Sequence, residues 1–337
     1  MSHSPSQPYP LYNTTFTLQR VSPLHISTTL PLNTAILQHH ACRFREILVG
    51  DVLRGVRVGL ESDTLSSAGM LQKVTWRLLP AEDAWDALIA EDETRWDETT
   101  VTIDSSRGIW ITVEYEKTTY TGILLKGVDD RTGDGFQHFP LLMTKMTGSL
   151  REVLIEYLES NFDTRVSALQ LSSPQVTNSF EEYLSNVCLD DDGEQLSSAD
   201  SIRAIRNTVK ETEVFVGFDV PSSSGALKVL EIHLAREDVP KLIVRGRASH
   251  ENSPTDNPFL QALSTYIDGH LALDLSHEKV KITRIACDAF VLGIEGKLKL
   301  SEPVANEQQE QQGRATRRLV EGLVKIAVGG RLSTQNT

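Results

Sequence analysis

The segment Ile109–Leu125 reads IWITVEYEKTTYTGILL and contains two runs that suit β-strands, Ile109–Glu116 and Thr119–Leu125. Both runs are rich in β-branched and aromatic residues, which pack well on a pleated surface. Only a few residues separate the runs, and so short a connection joins antiparallel neighbours rather than parallel ones. The segment therefore predicts a β-meander.

The rest of the chain surrounds this meander with further strands and helices. Neighbouring strands outnumber helical crossovers, which favours antiparallel pairing. The expected fold class is α+β, with mostly antiparallel curved sheets and packed helices in an N-terminal and a C-terminal half. The other predicted strands are Phe16–Val21, Val56–Leu60, Lys73–Leu79, Thr100–Ile103, Val166–Leu171, Val214–Val220, Leu227–Leu234, Val280–Leu292 and Lys297–Leu300. The main predicted helices are Leu32–Leu48, Ser149–Asn161, Gln175–Val187, Ser201–Lys210, Pro258–Leu273 and Arg314–Val328.

Composition divides the chain into five segments. Residues 1–10 are polar and proline-rich, and we expect a disordered lead-in there. Residues 11–163 and 164–300 are expected to form the N-terminal and C-terminal α+β regions. Residues 301–313 have no aromatic residue and are expected to be a linker. Residues 314–337 carry a basic helix that we expect to be dispensable for folding, because the linker precedes it.

The overall composition fits a folded protein of a reducing compartment. Of the 337 residues, 39% are hydrophobic, which is enough for a core. The 33 Lys and Arg residues face 46 Asp and Glu residues, and the net charge of −13 argues against a polybasic coat of DNA. The three cysteines are too few for a disulfide framework. No signal sequence and no stretch of ~20 apolar residues is found, so we expect the cytosol or the nucleus.

No motif in the sequence specifies a catalytic, cofactor or metal site. Gly293–Lys297 lacks the spacing of a phosphate-binding loop, and the acidic turns lack the ligand positions of a calcium loop. His39 and His40 are neighbours on a predicted helix and face different directions, so an exposed or half-buried pair is a simpler interpretation than a metal site. Asp190–Asp192 could be paired catalytic carboxylates, but a solvated turn explains them more simply. We therefore expect no enzymatic activity and no cofactor.

Basic residues are concentrated in the last third of the chain. Residues 227–337 hold 15 Lys or Arg and 14 Asp or Glu, whereas residues 1–226 hold 18 and 32. These clusters have two interpretations: a solvated face in which lysines protect a sheet edge, or a positive groove for phosphates or an acidic partner. The candidate contacts for DNA or an acidic partner are Lys279, Lys281, Arg284, Arg314, Arg317, Arg318 and Lys325.

Several packing patterns resemble those of one protein family. Leu11-Tyr12-Asn13, then Phe16-Thr17-Leu18 and Val21-Ser22-Pro23-Leu24, resemble the N-terminal signature of the CENP-L family of inner-kinetochore proteins. The style of the sequence suits the fungal branch of that family. Further similar stretches are Asn161–Asp163 with the following strand, Val214–Pro221 with Leu227–His233, and Phe259–His270 running into Val280–Lys299.

The resemblance implies a structural subunit of the constitutive centromere-associated network rather than an enzyme. It implies a nuclear protein at the centromere that pairs with a CENP-N-like protein through residues 164–300. The pair would help to recognise the centromeric nucleosome and its DNA, and would contact other inner-kinetochore subunits. No membrane and no small-molecule substrate are implied.

Pairing of this kind is physically reasonable if the partner adds a strand to a sheet edge. Val280–Leu292 and Lys297–Leu300 are predicted to close the C-terminal sheet, and we expect one of them to be an edge. The candidate partner-binding residues are Thr283, Ile285, Phe290, Lys297 and Lys299.

Two other hypotheses remain open at this point. The first is a nucleic-acid-binding module that acts alone through the basic C-terminal third; its basic clusters support it, and the net charge of −13 opposes it. The second is an enzyme with an acidic cleft, which would need a bound metal or cofactor.

Overall fold

The computed structural model describes residues 8–26, 32–53, 68–85, 102–127, 135–190, 192–219, 227–248, 257–303 and 308–329. Helices and mostly antiparallel strands confirm the α+β class. None of the described helices combines the length and the apolar character needed to cross a bilayer. Contacts divide the chain into two compact units. The first takes its residues from Met1–Pro10, Phe16–Leu169 and Leu323–Thr337, and the second from Leu11–Thr15 and Gln170–Gly322.

The first unit contains the predicted meander. Ile109 pairs with Leu124 and Val113 with Tyr120 in antiparallel register, which confirms the hairpin. The elements, in chain order, are β1 (Thr14–Val21), β2 (Leu24–His25), α1 (Thr34–Leu53), β3 (Leu71–Leu79), β4 (Gly108–Tyr115), β5 (Thr119–Leu125), β6 (Phe136–Gln137), β7 (Leu141–Lys145), α2 (Gly148–Phe162) and β8 (Val166–Ala168). The strands of the sheet follow the order β1-β7-β5-β4-β3, and β8 pairs with β1.

Helices α1 and α2 enclose an aromatic cluster against β3. Trp76 of β3 is only 2% exposed. Its ring lies 5.6 Å from that of Tyr157 and 6.2 Å from that of Phe44, measured between centroids. The Tyr157 hydroxyl is hydrogen-bonded to Nδ1 of His40 at 2.8 Å. Burial lowers the pKa of His40 to about 4, because the charged imidazolium would lose hydration. His39 is exposed and His40 half-buried, in agreement with the simpler interpretation of the pair.

The second unit combines helices with a smaller antiparallel ladder. Its strands follow the order β10-β9-β11-β12-β13. The elements that follow β8 in the chain are α3 (Ser173–Val187), α4 (Ser198–Thr208), β9 (Thr212–Phe218), β10 (Val229–Leu234), α5 (Asp238–Ala248), α6 (Pro258–Leu271), β11 (Val280–Cys287), β12 (Phe290–Gly293), β13 (Lys297–Leu300) and α7 (Gln309–Val328).

A buried carboxylate caps one helix of the second unit. Asn257 precedes α6 but makes no side-chain capping hydrogen bond. Instead, Glu181 of α3 accepts a hydrogen bond of 2.8 Å from the backbone N–H of Leu260. Only 5% of Glu181 is exposed, and desolvation raises the pKa of its carboxyl to about 7 despite this hydrogen bond.

Several predicted elements need correction. The continuous strand predicted at Val280–Leu292 is a hairpin, because the chain turns at Asp288 and Ala289 between β11 and β12. The prediction of a strand at Thr100–Ile103 is wrong for its described residues, Thr102 and Ile103. They belong to a turn in which the Thr102 and Ser105 side chains are hydrogen-bonded. The strand predicted at Val56–Leu60 lies outside the described residues. Helix α5 and strand β7 were not predicted.

The two ends of the chain also differ from expectation. Tyr9 belongs to the predicted disordered lead-in, but it is 5% exposed and its hydroxyl donates a hydrogen bond of 2.8 Å to the Pro80 carbonyl. Helix α7 begins at Gln309, within the predicted linker. Its residues Leu319 and Leu323 are 4% and 0% exposed. This burial argues against the expectation that the helix is dispensable for folding, since removing it would uncover apolar surface; that expectation stays a prediction, which the melting temperature of a chain lacking residues 301–337 tests.

Candidate partner-binding edge and basic face

Alternation along the strands separates the ladder of the second unit into two faces. One face is apolar and buried, and its members include Ile282, Leu292 and Leu298, each at most 5% exposed. The opposite face carries charged and exposed side chains. Adjacent strands keep this division, because directly paired residues project from the same side of a sheet.

Two of the predicted partner-binding residues belong to the buried face. Ile285 and Phe290 are each 1% exposed. The Phe290 ring packs against Tyr183 of α3, with 5.0 Å between centroids. Phe290 thus packs on α3, and the burial of both side chains argues against direct contact of either with a partner. Their role in partner binding stays a prediction.

A β-bulge at Thr283 arranges the exposed face. The register of β11 against β9 shifts between Ile282 and Arg284. Strict alternation would place Lys281 and Arg284 on opposite faces, but the extra residue brings both to the exposed face. Thr283 donates a hydrogen bond of 3.2 Å to the Phe215 carbonyl. A Cβ on Gly217 would lie 2.7 Å from the Thr283 methyl group, so the bulge needs a glycine opposite it.

Four cations project from the exposed face on two strands. Gly293 of β12 pairs with both Arg284 and Lys297, and Val291 pairs with Lys299. The Arg284 guanidinium lies over the Phe215 ring at 3.6 Å from its centroid. Among the described residues, no ion pair neutralises these cations. We call this group the basic face, and its members are Lys281, Arg284, Lys297 and Lys299.

Strand β10 is the outermost strand of this ladder in the described part of the chain. The Phe218 N–H donates to the Lys228 carbonyl at 3.0 Å, which fixes the hydrogen-bonding phase of the β9–β10 pair. In an antiparallel pair the bonding groups of successive residues point alternately inward and outward. The backbone N–H and C=O groups of Val229, Glu231 and His233 therefore point away from β9, toward the outer edge.

The beginning of this edge also exposes apolar side chains. Leu227 is 63% exposed and Val229 is 50% exposed. Of the six residues of β10, only Leu234 is buried. An outward row of backbone donors and acceptors beside exposed aliphatic groups is the geometry that strand addition uses.

The family model for centromere protein L matches residues 10–328 of the chain. The chain belongs to the centromere protein L family. No curated protein sequence matches it. Membership confirms the family resemblance that the sequence shows, and it makes the chain a centromere and kinetochore protein of the nucleus. The family is a structural one of the kinetochore.

Family membership does not identify the edge, and the structure corrects the predicted one. Strands β11 and β12 pair on both sides, and β13 pairs with β12. At the other side of β13, Asn13 N–H donates to the Leu300 carbonyl at 2.7 Å. The expectation that either Val280–Leu292 or Lys297–Leu300 forms an edge is therefore wrong among the described strands. Sequence reasoning predicted the strand Leu227–Leu234 but not its outer position, because edge position depends on strand order, which alternation along one strand does not reveal.

The remaining basic candidates occupy different environments. Lys279 is exposed just before β11, and Arg317 is exposed on α7. Arg318, also exposed, lies 3.9 Å from the Glu321 carboxylate. Arg314 is half-buried and donates a hydrogen bond to the Asp190 carbonyl, so it has a structural contact. Lys325 is exposed and belongs to the first unit.

Proposed function

We propose that the chain is a non-enzymatic structural subunit of the inner kinetochore that pairs with a CENP-N-like protein by strand addition at β10. The observation that carries this proposal is the outward row of backbone groups at Val229, Glu231 and His233. A partner strand would supply hydrogen bonds to these groups, and Leu227 and Val229 would lose their exposure to water. Both changes favour association.

We call the line of contact with the partner strand the seam. The proposal places the seam at β10 and not at Val280–Leu292 or Lys297–Leu300, the strands that the sequence predicted. Strand addition needs a row of unpaired backbone N–H and C=O groups, and those of β11 and β12 are already paired with strands on both sides. The members of the former candidate set that reach solvent, Lys297 and Lys299, belong to the basic face instead.

A proline in β10 tests the seam. Glu231→Pro removes an N–H that points outward, so the pairing of β10 with β9 keeps its own hydrogen bonds. Glu231→Ala is the matched control, because it removes the same side chain and keeps the N–H. We expect the proline variant to weaken association with the CENP-N-like protein about tenfold or more, which corresponds to ~1.4 kcal/mol, and the alanine variant to bind nearly as the wild type does.

The measurement is a titration of the purified partner, accompanied by thermal melting of each variant alone. Wild-type affinity of a well-folded Glu231→Pro variant would show that β10 is not the seam. Localisation gives a second test: a functional tagged chain should form nuclear foci at centromeres throughout the cell cycle, and a diffuse cytoplasmic signal would contradict the assignment.

The basic face favours a second function, contact with the phosphates of centromeric DNA. Four cations on neighbouring positions without described acidic partners form a surface that phosphates can neutralise. The same observation fits a module that binds nucleic acid by itself, and it fits lysines that merely keep the face solvated. The three alternatives differ in salt dependence and in the need for the partner.

Alanine variants at Lys281 and Lys297 separate these alternatives. For each phosphate that a variant no longer neutralises, the slope of log K against log salt should fall by about 0.9. Lys241→Ala is the control, since Lys241 is exposed, lies outside the basic face and already has an acidic partner: its Nζ is 3.3 Å from Oδ1 of Asp238. Slope changes in the isolated chain would support a stand-alone module, and changes only in the complex would support a composite surface. Unchanged slopes in both would leave the solvated face as the explanation.

A further inference from the structure

Three side chains with metal-ligating atoms meet at the end of the β9–β10 pair. His233 of β10 is directly paired with Glu213 of β9. Glu231 precedes His233 by two residues, so its side chain projects from the same face. Glu231, His233 and Glu213 therefore form a triangle on one face of the sheet, and the register of the two strands fixes the positions of their Cα atoms.

The distances within this triangle are short. Nε2 of His233 lies 3.1 Å from Oε1 of Glu231, and Nδ1 lies 3.6 Å from Oε1 of Glu213. One ligand atom from each residue lies within 4.8 Å of the other two. A tetrahedral zinc ion at ~2.0–2.1 Å from its ligands holds those atoms about 3.3 Å apart. The two short contacts use different ring nitrogens, and one imidazole gives a single nitrogen to a given ion, so the three ligand atoms must approach from within 4.8 Å to about 3.3 Å. All three side chains are at least 38% exposed, which leaves their torsions free to make this movement.

The chemistry of the donors selects the kind of ion. An imidazole nitrogen with two carboxylate oxygens suits Zn²⁺ and related divalent transition metals better than Mg²⁺ or Ca²⁺, which prefer oxygen alone. Two carboxylates and a neutral imidazole carry two negative charges, which one divalent cation neutralises. Three protein ligands leave a fourth position open toward solvent.

We propose that Glu213, Glu231 and His233 bind one divalent transition-metal ion, with Zn²⁺ as the best fit. The ion would join β10 to β9 through side chains as well as through the ladder. This proposal does not rest on the proposed function, since it needs only the register of the β9–β10 pair. The ion would use the side chains of Glu231 and His233, whereas strand addition would use their backbone groups.

Titration of the untagged full chain with ZnCl₂ tests the site. We expect one ion per chain in calorimetry, and a rise in melting temperature with zinc concentration, because the ion binds the folded pair. Loss of a ligand should weaken binding at least as much as loss of an outer-shell partner, which costs about 10–100-fold. The variants are His233→Ala and Glu231→Gln, and the control is His277→Ala, which removes an exposed histidine outside the triangle.

Cobalt replaces zinc as a spectroscopic probe. Visible bands of tetrahedral Co²⁺ should appear in the wild type and in His277→Ala, and should disappear in His233→Ala. A thiolate charge-transfer band would assign the ion to a cysteine and overturn the proposal. Equal zinc affinity of the wild type and His233→Ala would overturn it as well, as would the absence of any saturable binding.

Discussion

Among the described strands, β3 and β10 are the outer strands of the two units, and they differ in how far their side chains are buried. In β3 four of nine residues are buried, whereas in β10 one of six is buried. Trp76 anchors β3 in the aromatic cluster beneath α1 and α2. Strand β10 depends mainly on its hydrogen bonds with β9, and its first residues expose aliphatic groups.

This difference shows that an outer position alone does not make a docking edge. A strand whose side chains complete the core contributes chiefly to folding, because burial of apolar surface dominates stability. A strand that buries few side chains can instead serve a partner, because its outward backbone groups remain available for hydrogen bonds. The expected effects of substitutions should therefore divide between the two strands, with stability affected in β3 and association affected in β10.

The largest effect on stability should come from Trp76→Ala. Removing a buried aromatic side chain costs about 3–5 kcal/mol of unfolding free energy, through lost burial and the cavity left behind. Chemical denaturation of the whole chain measures the loss. A loss below ~1 kcal/mol, the centre of the range for ordinary substitutions, would show that the aromatic cluster does not anchor β3.

The next effect concerns pH and belongs to the second unit. The pKa of Glu181 is raised to about 7 in the folded chain from 4.5, so the folded state binds this proton more tightly than the unfolded state. The resulting stabilisation is fully present below pH 4.5 and is lost as pH rises through 7. It amounts to about 3 kcal/mol. Glu181→Gln should remove this pH dependence, since an amide does not titrate; an unchanged slope of stability across that pH range would contradict the assignment.

The first unit should respond to pH in the opposite direction. The pKa of His40 is lowered from 6.5 to about 4, so stability is present above pH 6.5 and is lost as pH falls through 4. His40→Phe should flatten the acid limb of the stability curve. His277→Ala is the control, because His277 is exposed and belongs to the second unit. An acid limb that is unchanged in His40→Phe would contradict the assignment.

The most direct comparison uses one substitution in both outer strands. Val74 of β3 is 9% exposed and Val229 of β10 is 50% exposed. Val74→Ala should cost about 2 kcal/mol, because it removes buried methyl groups. Val229→Ala should stay within ~0.5 kcal/mol and should weaken association with the partner instead. Equal losses of stability would remove the distinction between the two edges.

Local patterns of the sequence predicted much of the fold correctly. The meander at Ile109–Leu125, helix α3 and strand β9 follow from hydrophobic periodicity over a few residues, and such periodicity reports which face is buried. The prediction of one continuous strand at Val280–Leu292 was wrong, because periodicity reports burial and does not report where the chain turns. The apolar residues of this segment continue through the turn at Asp288 and Ala289, so periodicity could not locate the hairpin.

The candidate site was less accessible to this reasoning. Lys297 and Lys299 were correctly placed on one face, since they are two residues apart in a strand. The side-by-side arrangement of Lys281 and Arg284 could not be predicted, because it depends on a bulge that Gly217 accommodates on another strand. The triangle of Glu213, Glu231 and His233 likewise requires the register between β9 and β10.

The sequence by itself determined the α+β class, the family and the exclusion of a polybasic protein, because composition and short-range periodicity encode burial and charge. The tertiary structure alone decided which of the described strands is outermost, that Lys281 and Arg284 share one face, and that α7 packs into the core. These properties depend on pairings between residues far apart in the chain, and such pairings are selected by the total burial and hydrogen bonding of the folded state rather than by any local segment.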